Sequence, residues 1–282
     1  MFFSCYTLPF SEKMCYNCDS DPTRRVIMDL SEIKAVDVHS HFSVHGSGIE
    51  TPSRNRILDH LLKMNAAANI AVSFVTTYEV AENGQNCDIA NEETLKVARE
   101  RDDLFAWITV DPRKRIDFCA LERTLNDPRA IGLKILPISH SYDPRDYKKE
   151  IFGFASEIGT VVQMQLECEA LFATDIADEY PNAKIILGAN RRKGYAEALR
   201  DSKKGNLYID LAGGAQVDDL ILERLVNMCG DDHILFGTDG ITAPAFIRGR
   251  VEYAFIPETS KIRILRDNAI VLFGEKIGGV AK

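Results

Sequence analysis

The sequence predicts an α/β fold of the closed (β/α)8 TIM-barrel class in a single domain, and three observations carry that expectation. Short β-rich runs alternate with stretches of helical period eight times, over about 240 residues, the count and size of such a barrel. Runs such as Lys184-Ile185-Ile186-Leu187 are apolar at consecutive positions, as a parallel strand covered on both faces requires. No G-x-G-x-x-G follows any strand, so the open dinucleotide-binding sheet lacks its signature.

The elements follow in order. Residues 35–42 are apolar and β-branched, then polar at their end, and form the first strand. Ser53 caps a helix whose Ile57, Leu58, Leu61, Leu62 and Met64 mark an apolar face. The second and third strands are 71–79 and 104–112, with a helix at 89–101 between them and another at 116–125 after. The fourth, 130–138, leads into a single helix over 144–158. Strands at 160–167, 183–189, 206–213 and 233–240 complete the ring, helices separate them, and a last helix covers 260–273. No linker interrupts the units, so 31–282 reads as one barrel domain and 1–30 as a leader of unassigned structure.

Composition narrows the function classes. The chain of 282 residues is 45% hydrophobic and 27% charged, with a formal charge of −8. Those are the proportions of a globular protein, with no positive field to draw it to nucleic acid or an anionic membrane. A small-molecule substrate is the expected partner, and homo-oligomerisation stays open. No apolar run approaches the ~20 residues of a membrane span, and 1–10 lacks the basic start of a secretory signal. The cytoplasm is the expected compartment. The seven cysteines are scattered and odd in number, which suits free thiols better than a disulfide framework. Cys15 and Cys18 form a C-x-x-C without the second pair that a structural zinc site requires.

In a barrel of this class chemistry belongs at the C-terminal strand ends. The first strand ends Asp37-Val38-His39-Ser40-His41. Strand alternation points His39 and His41 the same way, able to offer imidazole nitrogens to one metal ion, with Asp37 on that side too. The last strand ends Phe236-Gly237-Thr238-Asp239. Strands one and eight are neighbours in a closed ring, so Asp239 can meet both histidines.

These two motifs resemble the amidohydrolase superfamily, specifically its branch of small-molecule decarboxylases, hydratases and lactonases. Similar to that branch as well are the third strand ending in Asp111-Pro112, Gly132-Leu133-Lys134-Ile135 in the fourth, Tyr180-Pro181-Asn182 before the sixth, and Asp267-Asn268-Ala269 with Leu272-Phe273 in the final helix. The resemblance implies that His39, His41 and Asp239 bind a divalent metal, usually zinc; in the expected reaction Asp239 is a ligand or the general base that takes a proton from the attacking water. It further implies a histidine ending strand five and another ending strand six. Here Gln165 stands at the first place and Ala189 and Asn190 at the second. Three protein ligands still suffice for a catalytic ion with an open position, and further donors can come from Gln165, Glu167, His45 or His140.

Lys134 reads as a buried cation that neutralises an acidic site or contacts substrate. Gln165, Asn190, Arg191 and His140 are candidate substrate contacts, and the Arg191-Arg192 pair suits a carboxylate. Arg248 and Arg250 lie in the long segment after strand eight, which the length of the loop suggests for a cover over the site. The expected activity is metal-dependent hydrolysis of a small carboxylate-bearing amide, ester or lactone, with decarboxylation a close variant. A metal-independent lactonase or decarboxylase on the same barrel is the first alternative. A barrel that has lost catalysis and binds a ligand is the second.

Overall fold

The computed structural model describes residues 29–43, 58–82, 85–166, 170–188, 194–213, 220–240 and 244–279. Eight parallel strands run in the order of the sequence: β1 (Ala35–Phe42), β2 (Ile70–Thr77), β3 (Leu104–Thr109), β4 (Ala130–Ile135), β5 (Val161–Gln165), β6 (Lys184–Gly188), β7 (Leu207–Asp210) and β8 (Ile234–Leu235). The ring closes between the last and first strands: Val38 N donates to the Phe236 carbonyl at 2.9 Å, and Thr238 N and Asp239 N both donate to the His39 carbonyl, at 3.1 and 2.7 Å. The expected TIM barrel is therefore the architecture of the molecule. No helix among the described residues is long and apolar enough to cross a membrane.

Between the strands lie α1 (Leu58–Ala67), α2 (Tyr78–Glu82), α3 (Cys87–Arg99), α4 (Phe118–Leu125), α5 (Phe154–Ile158), α6 (Phe172–Glu179), α7 (Tyr195–Asp201) and α8 (Ile221–Cys229). After β8 come α9 (Pro244–Glu252), α10 (Glu258–Ile262), α11 (Asn268–Phe273) and α12 (Glu275–Gly278). Side chains fall into two large apolar sets and a small one of Val80, Ala81, Cys87, Ala90 and Leu136. One large set joins outward-facing strand residues such as Ala106, Ile108, Met164, Leu187 and Ile209 to the helices. The other takes residues from all eight strands, among them Val36, Phe74, Trp107, Ile131, Val161, Ile186, Tyr208 and Leu235, a combination that only the inside of the ring permits. Ala269, Phe273 and Ile277 join this inner set, and the Phe273 ring meets Phe74 edge-on at 4.8 Å between centroids. The final helices thus plug the N-terminal mouth, and Trp107 is fully buried above them.

Several elements depart from the sequence expectation. Strand two stops at Thr77 and turns into α2, and strand four stops at Ile135, just before Pro137 forbids a further ladder donor. Helix α3 is capped by the Asn86 side chain, which accepts from Asp88 N, and it begins at Cys87, two residues ahead of the expected start. The single helix expected over 144–158 is a 3-10 turn (Pro144–Tyr147), a π turn (Lys149–Gly153) and α5. The last helix is likewise split by a π turn at Arg263–Asp267. The Ser53 cap and the C-x-x-C lie outside the described residues.

Arg248, expected in a cover over the site, points away from it. Arg248 of α9 is buried and donates to the carbonyls of Leu30, Ile33, Ala68 and Asn69 and to the Glu252 carboxylate. Those carbonyls precede β1 and β2, at the N-terminal end of the barrel. Arg248 is a clamp at the end opposite the site.

Candidate metal centre

Above the apolar inner set the barrel interior turns polar. His39, His41, Thr76, Thr109, Lys134, Gln163, Gln165, Asp210 and Asp239 are all buried there. The aim of the two histidines depends on an irregularity in β1. Asp37 pairs with Ser73 and Ser40 with Val75, so Val38 and His39 together oppose one residue of β2, a β-bulge. The bulge turns the Val38 carbonyl toward the Trp107 indole N–H (3.0 Å) and the Gln163 amide (3.2 Å).

Asp37 does not share the histidines' face, because simple alternation is broken at the bulge. Its carboxylate accepts from Thr238 Oγ1 at 2.6 Å, Thr238 N at 3.0 Å and His39 N at 3.1 Å. It ties β1 to the end of β8. Burial pushes its pKa up to about 7, against those hydrogen bonds.

His39 Nε2 and His41 Nε2 lie 3.3 Å apart. Asp239 Oδ1 is 3.5 Å from His41 Nε2 and 3.8 Å from His39 Nε2. Asp239 reaches this position with a left-handed backbone (φ 65°), as does Gly240 (φ 63°). A Cβ on Gly240 would stand 2.7 Å from the His41 carbonyl oxygen, so the turn after β8 needs glycine there.

Around this triad stand three further groups. Lys134 Nζ is 3.4 Å from His41 Nε2, and Gln165 Oε1 is 3.3 Å from His39 Nε2. Asp210 Oδ2 is 2.8 Å from His39 Nδ1. Burial pushes the Lys134 ammonium down to about 7, opposed by the field of Asp239, Asp210 and Asp37.

The donor set fits a divalent metal. Two imidazole nitrogens and a carboxylate oxygen at these separations can all be reached from one point about 2.1 Å away, the usual bond length from such donors. The three ligand atoms form the group that could hold an ion among the described residues.

Of the other candidates from the sequence, His140 Nε2 faces the Val80 carbonyl at 3.3 Å, and burial lowers its pKa against the field of Asp111 and that hydrogen bond. His45, Glu167, Ala189, Asn190, Arg191 and Arg192 lie outside the described residues. Sequence reasoning missed Asp210 and Gln163. Both carried a signal, since Asp210 ends the apolar run Leu207-Tyr208-Ile209 as Asp239 ends the run before it, and Gln163 is polar between Val162 and Met164.

A (β/α)8 barrel with a His-His-Asp group at its C-terminal strand ends defines a class of protein, and the comparisons supply the family. The family profile described as Amidohydrolase matches residues 36–274, and the chain belongs to that family. No curated protein sequence matches the chain. Among solved structures it is similar to 2,6-dihydroxybenzoate decarboxylase from Rhizobium, at 16% identity and a TM-score of 0.62 over 85% of this chain and 98% of that one. A dihydroxybenzoic acid decarboxylase from Polaromonas with bound manganese and 2-nitroresorcinol matches at 15% identity and 0.61, over 85% and 96%. The 5-carboxyvanillate decarboxylase from Sphingomonas paucimobilis matches at 14% and 0.63, over 86% and 99%. At these identities the likeness is one of fold.

Proposed function

We propose that the protein is a divalent-metal-dependent enzyme that hydrolyses a small carboxylate-bearing amide, ester or lactone, with His39, His41 and Asp239 as ligands. The observation that carries this reading is the approach of His39 Nε2, His41 Nε2 and Asp239 Oδ1 to within 3.8 Å of one another, from opposite ends of the chain. An ion held there supplies Lewis acidity and draws the pKa of water down toward neutrality.

The side chains of this protein take the remaining roles. Asp239 accepts the proton of the attacking water. Lys134, as ammonium, balances the carboxylates around it and attracts the negative charge of substrate. The Gln165 amide has an N–H pair to offer a carbonyl or carboxylate oxygen, and Arg191 is the candidate guanidinium for the substrate carboxylate. The same site suits decarboxylation, a second reading favoured by the manganese-bound decarboxylase of like fold.

A third reading dispenses with the ion, and the observation favouring it is Lys134 Nζ at 3.4 Å from His41 Nε2, an ammonium beside the place a dication would take. Elemental analysis of purified protein, with His39→Ala and Asp239→Asn assayed for lactone hydrolysis and carbon dioxide release, separates these. Stoichiometric metal lost in His39→Ala is the expected result. Activity that survives chelation would overturn the metal-dependent reading, and silence across both assays with added manganese would favour a binding barrel.

A further inference from the structure

We propose that Asp210 is a positioning residue that locks His39 in the tautomer bearing hydrogen on Nδ1, so that the Nε2 lone pair is aimed at the point shared with His41 and Asp239. The inference rests on the metal-centre reading for its purpose. Its geometry stands by itself.

A neutral imidazole has one N–H and one lone pair, and the partner of either nitrogen decides which is which. An ionised carboxylate can only accept, so the 2.8 Å contact from Asp210 Oδ2 makes Nδ1 the donor. Asp210 is itself held. Gln163 Nε2 donates to the same Oδ2 at 2.9 Å, and Ala212 N donates to Oδ1 at 3.0 Å. The second N–H of that amide goes to the Val38 carbonyl, so both acceptors face the nitrogen and the amide has one orientation. All of these side chains are buried, with His39, Gln163 and Asp210 at 0% exposure.

Neighbouring strands make room for the pair. A Cβ on Gly188, at the end of β6, would lie 2.9 Å from both Asp210 Oδ2 and His39 Nδ1. On Gly237, after β8, it would lie 3.1 Å from His39 Cβ and 3.3 Å from Asp210 Cγ. Stability alone does not call for this arrangement, because buried polar pairs are costly to desolvate and apolar residues of like volume often replace them without loss. A carboxylate behind a ligating imidazole is, by contrast, the usual means of fixing ring orientation and basicity. With Gln165 where a third imidazole is expected, the aim of each remaining ring matters more.

The test is nitrogen-detected NMR of histidine-labelled protein without metal, paired with calorimetric titration of manganese chloride into wild type and Asp210→Asn. In wild type His39 should show the Nδ1–H tautomer. Asp210→Asn should shift it toward Nε2–H and weaken manganese binding by about 10–100-fold, with circular dichroism unchanged. A wild-type His39 carrying hydrogen on Nε2 would overturn the proposal, and that spectrum decides the matter even if the variant fails to fold. An Asp210→Asn protein with unaltered tautomer would also overturn it. Absence of manganese binding in wild type would instead count against the metal-centre reading, while the tautomer still reports on Asp210.

Discussion

Gly188→Ala offers a sharp test of how tightly the site is built. The added methyl would meet His39 Nδ1 and Asp210 Oδ2 at 2.9 Å and His39 Cε1 at 3.0 Å, about 0.5 Å inside ordinary contact. These are not free side-chain ends, because each holds the other through a 2.8 Å hydrogen bond. Either the pair parts, at about 1.5–3 kcal/mol for a bond to a charged group, or β6 backs away, at about 1–3 kcal/mol for overpacking. A loss of about 3 kcal/mol corresponds to a melting temperature lower by roughly 5 °C for a chain of this size. Thermal denaturation followed by circular dichroism measures it, with Gly249→Ala as the control. Gly249 lies within α9 with no atom within 4 Å of a built Cβ, so alanine there should stabilise by about 0.5–1 kcal/mol. A Gly188→Ala protein that melts with wild type would refute the steric reasoning.

Other expectations follow from the rest of the molecule. Arg248→Met removes the donor to four carbonyls and Glu252 and should cost about 3–5 kcal/mol in denaturant unfolding, while leaving manganese affinity of the folded protein unchanged. Under the metal-centre reading, manganese at 100 times its dissociation constant should stabilise wild type by about 2.7 kcal/mol, and His41→Ala should lose that thermal shift. Cys119 is exposed, whereas burial pushes the Cys87 thiol up to about 11. Peptide mapping after brief treatment with iodoacetamide at pH 8 should therefore find Cys119 alkylated and Cys87 intact until the protein is denatured.

The barrel was legible because its strands are apolar at consecutive positions, a pattern that backbone physics ties to parallel strands covered on both sides. The histidine pair and Asp239 were legible because polar residues ending such runs have few structural uses. The bulge in β1 was not. Alternation put Asp37 beside the histidines, and nothing in Asp37-Val38-His39 itself reveals the extra residue. The bulge is stabilised by Trp107 and Gln163, donors from strands far along the chain. The role of Arg248 was hidden for the same reason, since its partners are main-chain carbonyls that carry no sequence signature. Asp210 could have been found by asking of strand seven what was asked of strand eight.

The hydrogen bonds from Thr238 and Asp239 to the His39 carbonyl have a consequence for when the site exists. The residues that would do the chemistry are also the stitches of the seam where the sheet is sewn shut. A chain halted on the ribosome before strand eight carries both histidines but lacks Asp239 and the seam that sets it beside them. Asp239 comes to the histidines only when this seam closes, so opening the seam parts the triad.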